Sequence, residues 1–252
     1  FKQSGMSVNP LSMGPSVDGK VLPYNFFSPE ARDLFKDIPV IIGTTLNEMG
    51  PRYYGQEMTS DRAGELLKMR YGDDTDKFIK AFKSAYPEGS LQDMVSLDMN
   101  VRSGAIETAN VINSLGDAPV YIYLFAWISP VMNGTYGSCH NMELPFMFNN
   151  VALQRELTGS VKEAYEVADR MSSSWINFTR HGNPNGKGAP GWDTFAPETN
   201  ATMIFSNKCV LKRNHDREML DLAAAHPAET GTAGKMIRQI LEQLRTQAEE
   251  GK

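Results

Sequence analysis

Glu48 and His140 are the two side chains whose surroundings best suit proton-transfer chemistry. The glutamate follows Ile38-Pro39-Val40-Ile41-Ile42-Gly43-Thr44-Thr45-Leu46-Asn47 and precedes Met49-Gly50. That stretch reads as a buried strand which delivers a carboxylate at its end. The histidine lies in Gly137-Ser138-Cys139-His140-Asn141-Met142-Glu143-Leu144-Pro145-Phe146-Met147-Phe148, a small-residue loop ahead of an apolar run. Imidazole titrates near neutrality, so it can take a proton from a hydroxyl and return it to a leaving group. A carboxylate held against it fixes the tautomer and stabilises the imidazolium. Such a pair serves a nucleophile, and the G-x-S-x-G turn that would present a serine occurs nowhere in the 252 residues. The chain therefore reads as the rear part of a serine hydrolase, with base and acid but no nucleophile. Taken singly, each residue also has a plainer reading: His140 as a loop histidine satisfied by backbone, Glu48 as a solvated turn carboxylate.

Neighbouring residues are weighed the same way. Cys139 beside His140 suggests a nucleophile-base dyad, but adjacent residues in extended chain point in opposite directions, which favours a packing role for the thiol. Glu143 reads either as a second carboxylate behind the histidine or as a brace of its loop. Leu144 and Phe146, with Trp127 and Met132 upstream, are candidates to wall a substrate pocket, core packing being the alternative. His181, His215 and His226 sit in polar or turn-forming surroundings and read as surface residues; none has the further ligands that a metal site needs. Neither a metal nor a cofactor is expected.

The elements that must position the pair are two strands and the helices around them. Pro39 to Gly43 is a short apolar, β-branched run, and Pro119 to Phe125 is a second, aromatic one. Helices are expected from Thr59 or Ser60 to Arg70, from Asp73 to Tyr86, from Val101 to Leu115 and from Ser160 to Thr179. The last carries a stripe of Val161, Tyr165, Ala168, Met171, Trp175 and Phe178, and Gly182-Asn183-Pro184-Asn185-Gly186 ends it. Thr202 to Phe205 and Cys209 to Leu211 read as a small hairpin, and 235–249 as a charged amphipathic helix. Strand, helices, strand, with chemistry at the strand ends, indicates a doubly wound α/β sheet. Two strands apolar on both faces need further neighbours, so at least one unpaired edge is expected.

Bulk properties narrow the partners. A net charge of −5 gives no reason to expect nucleic acid or an anionic membrane. No apolar run is long enough to span a bilayer. Two cysteines allow one disulfide at most. The opening Phe1-Lys2-Gln3-Ser4-Gly5 looks cut from a longer polypeptide, so compartment is not legible.

Four segments resemble the type-B carboxylesterase/cholinesterase family of α/β-hydrolases. Pro15-Ser16-Val17-Asp18-Gly19 with Leu22-Pro23 resembles the family's P-V-V-D-G…L-P. Ile38 to Gly50 is similar to its V-P-V-x-x-G-x-x-x-D-E-x-G, with Asn47 where aspartate is common. His140 with Glu143-Leu144-Pro145-Phe146 matches H-x-x-E-x-P-F. Trp175-Ile176-Asn177-Phe178-Thr179-Arg180-His181-Gly182-Asn183-Pro184-Asn185, with Pro190-Gly191-Trp192, resembles W-x-x-F-A-x-x-G-x-P-N…P-x-W. The wording around Glu48 and His140 is nearest to bacterial members. The resemblance implies hydrolysis of small carboxylic esters by a Ser-Glu-His triad, with Glu48 as the acid and His140 as the base. It places residues 1–252 as the C-terminal portion of one catalytic domain, its sheet incomplete without an N-terminal half that carries the serine and the oxyanion loop. Alone, the chain is expected to be inactive. The alternative is a non-catalytic, cholinesterase-like adhesion domain, which need not keep the acid and the histidine.

Overall fold

Val120–Phe125 is apolar or aromatic at every position and buried along its whole length. The remaining elements are arranged around it. The computed structural model describes residues 16–25, 28–48, 53 and 57–226. Strand β1 (Val40–Thr45) lies parallel to β2 (Val120–Phe125), from Val40 opposite Val120 to Thr45 opposite Phe125. On the other side of β2 runs β3 (Thr202–Phe205), also parallel, and β4 (Val210–Lys212) closes the order β1-β2-β3-β4 antiparallel to β3. The helices are α1 (Arg32–Phe35), α2 (Ser60–Tyr71), α3 (Thr75–Ala85), α4 (Leu91–Ser96), α5 (Met99–Leu115), α6 (Leu144–Met147), α7 (Arg155–Thr158), α8 (Lys162–His181) and α9 (Arg217–Ala225).

The two-residue period of β2 divides the core. Tyr121, Tyr123 and Phe125 point to one face, where α8 and the segment after β2 cover them with Met142, Phe146, Ala164, Val167, Ala168 and Met171. Val120, Ile122 and Leu124 point to the other, against α1, α5 and the group formed by α2, α3, α4 and α9. Both faces of a largely parallel sheet are thus covered by helices, as the doubly wound reading expects.

Local sequence explains most boundaries. Thr59 caps α2 by accepting the Arg62 N–H, and Asp98 caps α5 by accepting from Asn100 and Val101, which starts that helix two residues before Val101. Helix α8 stops at Gly182, which takes the left-handed conformation that glycine adopts without strain. Gly43 lies under the Tyr123 ring: a Cβ there would fall 2.1 Å from a ring carbon.

The expected hairpin of β3 and β4 forms, and its β3 is also the third parallel strand of the main sheet. The structure departs from the sequence reading in three places. Helix α4 was not expected, although Ser90 and Asp93 form a complete capping box at its start. Tyr165 of the α8 stripe is exposed while Ala164, one residue earlier, is fully buried. His215, expected at the surface, is buried against Tyr86, with its ring nitrogen 3.4 Å from Asp216. The outer edge of β1 has no strand partner among the described residues, and Val40 to Gly43 are only partly buried. The expected helix over 235–249 lies outside the described residues, as do Met49 and Gly50.

Candidate functional site

Strands β1 and β2 end side by side, and the carboxylate and the imidazole follow those ends. The Leu46 N–H donates to the Phe125 carbonyl at 2.8 Å, which carries the pairing one residue past Thr45. The chain then turns, and Glu48 Oε1 accepts the Thr45 N–H at 2.6 Å, pinning the carboxylate against the end of its own strand. After β2 the chain loops out and returns. The Ser129 N–H donates to the Gly137 carbonyl at 3.1 Å, and Gly137 turns with a positive φ of 55°. Ser138 Oγ–H donates to the same Phe125 carbonyl at 2.8 Å. A single parallel bridge joins Asn47 to Cys139, the residues just before Glu48 and His140.

This arrangement sets His140 Nδ1 2.6 Å from Glu48 Oε2. The Glu48 side chain is only 11% exposed, whereas that of His140 is 69% exposed. The hydrogen bond to Glu48 raises the imidazole pKa above its ordinary value. Slight burial opposes the shift, and the charges of Glu48 and Glu143 reinforce it. With Nδ1–H given to the carboxylate, Nε2 is the nitrogen left to accept a proton, and it has no partner among the described residues. Such an imidazole can act as a general base toward a hydroxyl brought to Nε2, and then as a general acid toward a leaving group.

The neighbouring candidates separate. Cys139 is partly buried against the aromatic cluster, and that burial pushes its thiol pKa up, away from thiolate chemistry. Burial also raises the carboxyl pKa of Glu143, helped by the charge of Glu48, and its Oε2 has no partner among the described residues. Trp127 and Phe146 are buried together, ring centroids 4.9 Å apart, with Phe125 equally close to Phe146. Met132 and Leu144 are exposed, and Met132 has a positive φ of 51°. Among the described residues, no group of three or more metal-ligating side chains could hold an ion.

One residue of the site was noted in the sequence only for standing where aspartate is common. Asn47 is fully buried, and both ends of its carboxamide are engaged: Oδ1 accepts the Ser138 N–H at 2.9 Å, and Nδ2 donates to the Ser96 carbonyl at 3.0 Å. A buried-strand pattern that ends in a polar amide was the available signal.

The carboxylesterase family model matches residues 2–222 of this chain. Cocaine esterase of Homo sapiens is 28% identical over 229 residues, covering 78% of this chain and 39% of that protein. Para-nitrobenzyl esterase of Bacillus subtilis (strain 168) is 28% identical over 221 residues, covering 82% of this chain and 42% of that one. Among solved structures, an esterase from the anaerobe Clostridium hathewayi that can hydrolyze aliphatic aromatic polyesters superposes with a TM-score of 0.65 at 28% identity. It covers 75% of this chain and 38% of its own. The Geobacillus stearothermophilus carboxylesterase EST55 gives a TM-score of 0.53 at 25% identity, with 82% and 44% covered. The chain spans less than half the length of each of these relatives. Its largely parallel sheet, its strand-end carboxylate and histidine, and a family match that runs through most of its length agree: this chain belongs to the carboxylesterase family.

Proposed function

We propose that residues 1–252 are the C-terminal portion of a single α/β-hydrolase catalytic domain that hydrolyses carboxylic esters. In this reading the chain contributes the acid Glu48 and the base His140. The N-terminal half contributes the serine nucleophile and the backbone amides that stabilise the oxyanion. The observation that carries it is the 2.6 Å contact between a nearly buried carboxylate and the Nδ1 of an imidazole whose other edge is open.

The chemistry follows from that contact. His140 Nε2 takes the proton of the serine hydroxyl as its oxygen adds to the ester carbonyl. The imidazolium, held by Glu48, gives that proton to the departing alcohol as the acyl-enzyme forms. Water then repeats the sequence: His140 takes its proton, the hydroxide oxygen adds to the acyl carbon, and the proton returns to the serine oxygen as the acid leaves. The names of the relatives support an ester substrate and leave its acyl and alcohol groups open.

The test uses this chain with and without its N-terminal half. Alone, it turns over no activated ester, and a fluorophosphonate probe labels none of its serines. Joined to the N-terminal half, it hydrolyses the ester, and His140→Ala lowers kcat by roughly 10⁴-fold or more. Specific labelling of a serine within 1–252, or a near-native rate for His140→Ala, overturns the proposal.

A further inference from the structure

Glu48 and His140 lie 92 residues apart in the chain, yet their contact requires two irregular segments to stand in one register. Apart from the contact itself, the hydrogen bonds that join the acid turn directly to the histidine loop among the described residues both involve Asn47. Its N–H donates to the Ser138 carbonyl at 3.1 Å, and its Oδ1 accepts the Ser138 N–H at 2.9 Å. The two segments also meet at one acceptor, the Phe125 carbonyl, which takes the Leu46 N–H and the Ser138 hydroxyl. The other end of the Asn47 amide donates to the carbonyl of Ser96, the last residue of α4, two residues before the Asp98 cap of α5. The Asp98 N–H in turn donates to the Leu46 carbonyl at 3.0 Å. The residue before the acid is therefore tied to two other segments, and its side chain is a connector with no exposure of its own.

We propose that Asn47 is a positioning residue of the acid-histidine pair: its carboxamide locks the histidine loop to the acid turn and so holds His140 Nδ1 within reach of Glu48. The proposal rests on the reading of Glu48 and His140 as the working pair. A carboxamide suits the place because it accepts at one end and donates at the other. A carboxylate there would keep the Ser138 N–H as donor but would face the Ser96 carbonyl with no hydrogen to give. Alanine would leave both backbone groups buried without partners.

The readout is the titration of the His140 ring, followed by NMR in the full chain. Its resonances are assigned by their loss in His140→Gln. The charged groups facing that ring are Glu48 and Glu143. In the unmodified chain the midpoint lies above the ordinary value near 6.5. Glu48→Gln removes the shift, as a control. Asn47→Ala should also bring the midpoint back toward the ordinary value while the chain stays folded, whereas Asn47→Asp, which keeps the acceptor, should retain most of the shift. An Asn47→Ala chain that is folded and titrates with the unmodified midpoint overturns the proposal. Should that variant not fold, amide exchange in the unmodified chain decides: the Ser138 N–H should exchange as slowly as the core amides of β2, and fast exchange overturns it. A midpoint that follows Asn47 in a chain whose joined form hydrolyses no ester would retain the positioning role and reject the esterase reading.

Discussion

Gly43 and Tyr123 share one place in the sheet: opposite each other in the parallel register of β1 and β2, the glycine leaves the volume that the tyrosine ring fills. The ring is also packed on its other sides. Trp175 meets it edge-on at 5.2 Å between centroids, and Phe205 lies 6.2 Å away. A methyl group on residue 43 would therefore force strand, ring or both to shift. Since β1 leads within five residues to Glu48, that shift would reach the site.

Gly43→Ala is expected to destabilise the chain by about 1–3 kcal/mol, the usual cost of overpacking a close-packed core. Tyr123→Leu should relieve part of that loss in the double variant, because the two residues compete for one volume. Chemical denaturation of both single variants and the double variant checks this. Strictly additive effects would show that the clash is not with the ring.

The Glu48–His140 bond has a stability signature on the alkaline side. The folded-state pKa of His140 is raised above that of the unfolded chain, so its contribution is fully present below about pH 6.5. It fades as the pH climbs through the raised folded value. Unfolding free energies of the unmodified chain and of Glu48→Gln should therefore differ most between roughly pH 5 and 6.5 and converge toward pH 9. A gap that is constant across the range would separate the bond from His140 protonation. Because the ring is largely exposed, the effect is modest.

His215 makes the opposite signature on the acid side. Burial drives its pKa from 6.5 down to about 4, although the neighbouring Asp216 pulls the other way. The unfolded chain takes up that proton first, so stability falls as the pH drops from about 6.5 to 4, by roughly 3 kcal/mol at 1.36 kcal/mol per unit. His215→Phe should flatten this acid limb, with a ring retained against Tyr86. An unchanged slope in denaturation between pH 6.5 and 4.5 would assign the limb to other groups. Behind His215, the Arg102 guanidinium bonds Asp216 at 2.8 Å and Thr202 Oγ at 3.0 Å in the interior. Burial disfavours ionised Asp216, yet the guanidinium prevails and keeps its pKa below the usual carboxylate range.

Strands and histidine loop were legible because short-range chemistry encodes them. Val40 to Thr45 and Val120 to Phe125 announce themselves by apolar, β-branched and aromatic runs, and the order of acid before histidine follows from the strands that deliver them. What escaped notice depends on parts brought together from afar. The environment of His215 was unreadable from Asn214, Asp216 and Arg217, all polar; its burial comes from packing beside Tyr86, 129 residues away. The role of Asn47 was hidden because its partners are backbone groups of Ser96 and Ser138, which carry no side-chain signature. Helix α4 has only six residues, too few for a periodic pattern, though its capping box was in plain sight. Tyr165 was misplaced because a stripe stepped every three or four residues drifts around a helix, and Ala164 holds the inward position.

The uncovered margin of β1 has a practical consequence. Among the described residues that edge, beside Val40, Ile41 and Ile42, pairs with no strand, and such an edge can template an extended segment that reaches it. Two copies that pair through this edge would close as a dimer, whereas head-to-tail addition, edge to opposite edge, would extend from copy to copy. Solubility of this polypeptide on its own would then be governed by how that single strand is shielded.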